Sequence, residues 1–204
     1  LLGERTIPSA HFATQVALHT LKHAQHPVLS VNGNVVALAG DEILLLADQI
    51  KCPIEVNIFY RTPERMDALL SDLNERKQRL GLDVDILGSH PDASIPGLKG
   101  PRAKCESRGI LASDVLLVPL EDGDRCEALV AMGKTVIVID LNPLSRSAQR
   151  GTITIVDELS RCLENMLSME ANGLPSASEY RHSETLQAAL NEIVNGMKNK
   201  FSSE

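Results

Sequence analysis

The chain has 204 residues, 43% of them hydrophobic, enough for one substantial core or a core plus a small extension. Its net charge of −7 leaves no electrostatic footprint for nucleic acid, and an aromatic content of 2% argues against base-stacking platforms. No apolar run approaches a membrane span and no signal-peptide pattern opens the chain; Cys52, Cys105, Cys126 and Cys162 are widely spaced without a CxxC pair, which suits a reduced, cytoplasmic protein with core thiols.

In chain order, helix and strand alternate. Residues 9–24 carry Phe12, Val16, Leu18 and Leu21 near a helical period, with Ser9 as the expected cap. A short strand, 28–31, runs into Asn32, Gly33 and Asn34, and the helix that follows is expected to break near Gly40. A second strand, 54–59, ends at Tyr60 and Arg61. Thr62-Pro63-Glu64 then opens a helix with a cap, a first-turn proline and an acid facing the dipole, and its apolar stripe is Met66, Leu69, Leu70 and Leu73. After a weaker strand at 84–87, residues 88–108 turn to Gly, Pro and charge, the pattern of a long functional loop or lid, or of plain linker.

Residues 115–146 give the clearest unit. Two apolar runs, 115–120 and 135–139, flank a short helix at 125–132 closed by Gly133, which makes a βαβ unit with parallel pairing. Each run empties into a polar cluster: Glu121, Asp122, Asp124 and Arg125 after the first, Asp140, Asn142, Ser145 and Arg146 after the second. A sixth strand, 153–156, precedes a helix capped by Asp157, with Leu159, Cys162, Leu163, Met166 and Leu167 as its stripe. Residues 173–178 read as linker, and a last amphipathic helix carries Leu186, Leu190, Ile193, Met197 and Phe201. The expected organisation is a domain over 1–172 followed by linker and helix over 173–204.

The fold class is therefore α/β: a Rossmann-like, doubly wound, mostly parallel six-stranded sheet in the order 3-2-1-4-5-6, with helices on both faces and a C-terminal helical extension. Ligands bind such sheets beyond the carboxyl ends of the strands, at the switch point between the first and fourth. That sets Asn32-Gly33-Asn34 opposite Asp122-Gly123-Asp124-Arg125, with Tyr60 and Arg61 on one side and Asp140, Asn142 and Arg146 on the other. Other signals are weaker. Met132-Gly133-Lys134-Thr135 imitates the end of a P-loop, but Ala128 stands where its first glycine belongs, at the wrong end of a strand. No G-x-G-x-x-G follows the first strand, against a nicotinamide enzyme. His19 and His23 share a helical face without an acidic or cysteine partner. Asp122 or Asp124 reads equally as a helix cap, and Arg65 as solvated surface.

The segments HPVLSVNGN (26–34), EVNIFYRTPER (55–65), PDASIPGL (91–98), DVLLVPLEDGDR (114–125) and VIVIDLNPLSR (136–146) resemble the archaeal phosphopantothenate synthetases, 4-phosphopantoate–β-alanine ligases, in the family's order. The likeness covers residues 1–169. It implies a homodimeric enzyme of coenzyme A biosynthesis that uses ATP and Mg²⁺ and passes through an acyl-adenylate to AMP and pyrophosphate. Members carry, before the LLGERT stretch, a leading segment with nucleotide-binding arginines; the present sequence opens at Leu1 without methionine, and such a segment is expected upstream. By resemblance Asp140, Leu141, Asn142, Arg146, Ser147, Glu158 and Leu159 line the nucleotide site. The acyl substrate is expected on Asn32, Asn34, Asn57, Tyr60, Arg61 and Arg65, with the two arginines on its phosphate. Asp122 and Asp124 are candidates for Mg²⁺ or for the ammonium of β-alanine, and with Asn34 form the expected catalytic set. Such chemistry needs arginines and a cation because a carboxylate must approach a triphosphate. A non-catalytic nucleotide-binding module and a nicotinamide-dependent oxidoreductase are the competing readings. Neither a nucleic acid nor a membrane is an expected partner.

Overall fold

The computed structural model describes residues 3–170 and 172–201; Leu1 and Leu2 of the LLGERT stretch lie outside it, as does the side chain of Phe201. Its centre is a wholly parallel sheet of six strands: β1 (Pro27–Val31), β2 (Ile54–Val56), β3 (Ile86–Leu87), β6 (Val115–Pro119), β7 (Thr135–Ile139) and β8 (Ile153–Ile155). Their spatial order is β3-β2-β1-β6-β7-β8, the doubly wound order expected, with the switch between β1 and β6. Alternate residues feed two cores. Leu29, Val31, Leu117, Ile137 and Ile139 face one helical layer, while Val28, Leu116, Val118, Val136 and Val138 face the other, so both faces are covered and the strands read as near-continuous apolar runs.

The first layer contains α1 (Pro8–His23), α2 (Gly33–Ile50), α3 (Pro63–Leu80), α6 (Leu159–Ser168) and α7 (His182–Phe201). The expected break in α2 is real and falls at Ala39, whose φ of −148° leaves the helical region. Thr62 caps α3 through its hydroxyl as expected, but two other caps differ. The residue before α1 is Ile7, which has no side-chain cap; Pro8 starts the helix instead of Ser9 capping it. At α6 the cap is Glu158, whose carboxylate accepts from the amides of Ser160 and Arg161, while Asp157 is spent on Arg161 and Thr6. The second layer holds α4 (Gly123–Ala131) and α5 (Arg146–Arg150), the latter too short for any periodic signal.

Residues 88–111 are neither lid nor linker. They form a two-stranded antiparallel pair, β4 (Ala93–Ser94) with β5 (Lys104–Cys105), a 3-10 turn at Pro101–Ala103 and a π turn at Ser107–Leu111, and they bury Ile95, Cys105 and Ile110 in the second core. What fixes this excursion is Glu55, a carboxylate inside β2 that is 1% exposed and accepts from the amides of Glu106 (2.9 Å) and Ile110 (2.6 Å). Burial pushes its pKa up and the two amides oppose the shift. The fit requires Gly109, where a Cβ would sit 2.1 Å from Glu55 Oε2. All four cysteines are free and buried, and burial pushes Cys52, Cys126 and Cys162 to about 12.

The stretch read as linker also ends in fixed structure. A 3-10 turn at Ala177–Glu179 delivers Tyr180, whose hydroxyl accepts from the amide of Thr154 (3.0 Å) and donates to its carbonyl, on the outer strand β8. Leu186 and Ile193 of α7 are half-buried against the first core, Leu190 is half-buried, and Met197 is exposed. His182 packs edge-on to Tyr180, and its buried ring nitrogens face the carbonyls of Ala148 and Gln149 without an aligned hydrogen bond. Burial lowers its pKa, so the unfolded chain takes up this proton more readily than the folded one. The stability is complete above the unfolded value of about 6.5 and is lost as pH falls below it. Urea midpoints taken between pH ~7.5 and ~5 should therefore drop in the native chain, and His182→Phe should flatten that slope; an unchanged slope would show that His182 is not its source.

Candidate active site

A cleft of about 500 Å³ opens at the carboxyl ends of β1, β2 and β6. Asn32, Asn34, Asn57, Tyr60, Arg65 and Asp122, all expected at the site, line it together. Its back wall is a strained turn. Leu120, the residue after β6, holds φ at 51°, a left-handed conformation that a branched side chain rarely adopts. The strain is sustained by two hydrogen bonds: the Leu120 amide donates to Ile139, and its carbonyl accepts from Asn32 Nδ2 at 2.9 Å. The Asn32 oxygen meanwhile caps α2 by accepting from Asn34 and Val35. Asn32 thus ties the helix that follows β1 to the turn that follows β6, and its amide group is committed to protein carbonyls.

At one end of the cleft stands Arg65. Its guanidinium lies over the first turn of the 18-residue helix α2, 3.8 Å from where a Cβ on Gly33 would be, and 5.9 Å from the centre of the Tyr60 ring. Among the described residues it has no carboxylate partner. Arg61, expected to share its role, does not line the cleft. Its Nη2 donates to the carbonyl of Gly88, its Nη1 is buried without a partner, and burial lowers its pKa while Glu55 and Glu106 oppose that.

At the other end is a group of charges in which Arg102 is central, a residue that the sequence did not single out. Its side chain is 7% exposed, lies 5.0 Å over the Phe59 ring, and reaches Glu121 (3.1 Å), Asp122 (2.7 Å) and Asp124 (3.2 Å). Burial alone would lower its pKa, yet the three carboxylates hold it above the usual arginine value. Glu121 is shared with Arg125, which is fully buried, binds it at 2.5 Å and reaches Ser30 of β1 at 2.8 Å. No sequence signal marks Arg102, because its partners come from a loop some twenty residues away.

The remaining candidates lie beyond β7 and β8. Asp140 accepts from the amide of Asn142 and the hydroxyl of Ser145, and Ser145 caps α5. Leu141 is 53% exposed, and Ser147 donates to the carbonyl of Glu121, joining this loop to the acidic one. Arg146 pairs with Glu127, and its stem fits against α4 only because residue 123 is glycine: a Cβ there would approach Arg146 Cγ to 2.3 Å. Arg146 and Asp124 line a second hollow of about 510 Å³ beside Pro96–Lys99. Glu158 is the α6 cap and Leu159 is buried beneath it. Lys134 of the P-loop imitation lies at the opposite edge of the sheet, donating to the carbonyls of Leu111 and Ser113.

Residues 9–200 match the phosphopantothenate/pantothenate synthetase family. The chain belongs to this family. It is 45% identical, over 97% of its length, to a 4-phosphopantoate–β-alanine ligase of Methanosarcina mazei, of which the match covers 79%. It is 47% identical, over 83% of its length, to a protein of the same name from Thermococcus kodakarensis, and spans 63% of that relative. A Thermococcus onnurineus relative matches to the same extent. These named relatives are ligases, enzymes that form a C–N bond.

For a metal the donors present do not form a cage. Among the described residues no group of three or more His, Cys, Asp or Glu is arranged to hold an ion, and the acids expected to bind Mg²⁺, Asp122 and Asp124, are both bonded to Arg102. Mg²⁺ commonly relies on substrate phosphates for much of its coordination.

Proposed function

We propose that this chain condenses 4-phosphopantoate with β-alanine at the expense of ATP, giving 4′-phosphopantothenate, AMP and pyrophosphate, a step of coenzyme A biosynthesis. The observation that carries this reading is a switch-point cleft with an unpaired guanidinium over a helix N-terminus at one end and carboxylates at the other, in a chain 45–47% identical to ligases of that name. In the first step a substrate carboxylate oxygen attacks the α-phosphorus and pyrophosphate leaves with the electron pair of the broken P–O bond. In the second the amine nitrogen attacks the acyl carbon and AMP leaves with the C–O pair, while the ammonium sheds one proton before attack and one after. No covalent enzyme intermediate is required, so the chain's task is positioning and charge stabilisation.

Arg65 and the first turn of α2 take the substrate phosphate, since a free guanidinium and a helix N-terminus both favour an anion. Arg61 is a structural arginine that holds Gly88, in place of the second phosphate ligand expected. Asn34, at the rim, remains a donor to the pantoyl hydroxyl or carbonyl, and Asn32 shapes the cleft instead of reading the substrate. Asp140, Leu141, Asn142, Arg146, Ser147, Glu158 and Leu159 frame the nucleotide, with Arg146 exchanging Glu127 for phosphate. A Mg²⁺ ion would depend chiefly on substrate phosphates for its ligands, since Asp122 and Asp124 are engaged by Arg102, and it would supply charge neutralisation there.

Incubation with ATP, Mg²⁺, 4-phosphopantoate and β-alanine should release AMP and pyrophosphate; ADP and phosphate formed in dependence on both substrates would refute the adenylate route. Calorimetric titration separates the arginines. Arg65→Ala should weaken 4-phosphopantoate by roughly one to two decades and spare ATP, Arg146→Ala the reverse, and Arg61→Ala should lower the melting temperature instead of either affinity. Equal loss of both ligands in Arg65→Ala and Arg146→Ala would sink the division of roles. We also propose a homodimer, on the family likeness and the exposed Val194 and Met197 that continue the α7 stripe. Light scattering should return twice the 22.1 kDa chain mass at micromolar concentration, and a monomer mass would overturn this.

A further inference from the structure

One flank of the cleft is a row of rings and cations. The Arg65 guanidinium lies 5.9 Å from the centre of the Tyr60 ring, and the Tyr60 and Phe59 rings meet edge to face at 4.9 Å. The Arg102 guanidinium in turn lies 5.0 Å from the centre of the Phe59 ring. All four residues line the same cavity. The rings are open to it: Phe59 is 50% exposed and Tyr60 67%, in a chain with three phenylalanines and two tyrosines in all. A lone exposed apolar side chain needs no explanation, but two adjoining rings at a cavity do. Helix α3 adds Ala68 and Leu69 to the lining, three and four residues after Arg65 and therefore on its helical face. The free guanidinium of the cleft is thus bordered by apolar surface from two elements. A phosphate alone has no use for such a border.

We propose that Phe59, Tyr60 and Leu69 form an apolar flank that reads the quaternary carbon of the acid substrate, the carbon bearing its two methyl groups. The flank selects this branched acid over straight-chain hydroxy acid phosphates. The assignment rests on the ligase reading and adds to it what the middle of the acid meets and what excludes its analogues. In 4-phosphopantoate the quaternary carbon is bonded directly to the carbon that carries the phosphate ester. With the phosphate on Arg65, the methyl groups fall against the apolar groups nearest that guanidinium, Tyr60 beside it and Leu69 one turn along α3. Phe59 continues the flank toward Arg102, which three carboxylates hold in place over its ring. The surface is therefore preformed, and the methyl groups displace water from it with little ordering of the protein.

The test compares 4-phosphopantoate with 2,4-dihydroxybutanoate 4-phosphate, the same acid without its two methyl groups, as partners for β-alanine. The native chain should favour the branched acid in kcat/KM by at least about tenfold. In Tyr60→Ala and in Phe59→Ala that preference should fall by at least about threefold. Tyr60→Phe should keep it, because apolar bulk is read and not the hydroxyl. Damage to the fold, or to Arg65 or Arg102, lowers kcat/KM for both acids alike and leaves their ratio where it was. A native chain indifferent to the methyl groups, a ratio unmoved in either alanine variant, or a ratio lost equally in Tyr60→Phe overturns the assignment. If Phe59→Ala fails to fold, the more exposed Tyr60→Ala decides alone. A native chain that condenses neither acid with β-alanine refutes the ligase reading, and calorimetric titration with the two acids then judges the flank separately. Tighter binding of the branched acid, by a margin that shrinks in Tyr60→Ala, supports it; equal affinities, an unshrunken margin, or binding of neither acid overturn it.

Discussion

The arrangement depends on a chain of buried charges that runs from Ser30 through Arg125 and Glu121 to Arg102. Its members come from β1, α4, the turn after β6 and the 88–111 excursion, so that one network joins four separate pieces of the chain. Taking these groups out of water is expensive, and a buried ion pair is weak grounds for net stability. What such a network supplies is uniqueness of position. Removing any one partner strands a charge in a medium of low dielectric constant, so only one relative placement of the four pieces satisfies all of them. Arg125 is the extreme case, fully buried yet joined to both a carboxylate and a hydroxyl.

Glu55 does for the excursion what Glu121 does for the cleft. A carboxylate within a central strand would be a liability if it faced only side chains. Here it caps backbone amides of a segment that has almost no regular structure of its own, and Gly109 lets the backbone approach closely enough for that. Glu106 repeats the device one step outward by accepting from the amides of Gly88 and His90. With Asp92 accepting from the amide of Ser107, three carboxylates read main-chain amides of the excursion, and that order carries Arg102 to the cleft.

These features explain what the sequence disclosed and what it hid. Strand order, the switch point, the break in α2 and the cleft's asparagines were legible because apolar periodicity and polar strand ends are local signals. The excursion looked like a lid because glycine, proline and charge dominate it, and nothing local distinguishes a mobile loop from one pinned by Glu55, fifty-odd residues upstream. Arg102 was hidden for the same reason. The family likeness set Arg61 beside Arg65 on the substrate phosphate, but Thr62 and Pro63 begin α3 between them, and the two side chains leave on different courses: Arg65 over α2, Arg61 toward Gly88. The caps at Ser9 and Asp157 were misplaced by one or two residues, because Pro8 starts α1 after Ile7 and Glu158 takes the cap of α6.

The cleft's two ends differ in a way that fits the proposed ligand. Arg65 is left with its charge unspent, and a cation without a partner at a helix N-terminus gives a field of one sign, suited to an anion carrying two charges. Arg102 has its charge more than compensated by three carboxylates, so that end of the cleft presents no positive field to such an anion. On the proposed reading, recruitment of the phosphorylated substrate therefore falls to Arg65. The strained turn at Leu120, held by Asn32, forms the wall of the cleft between those two ends.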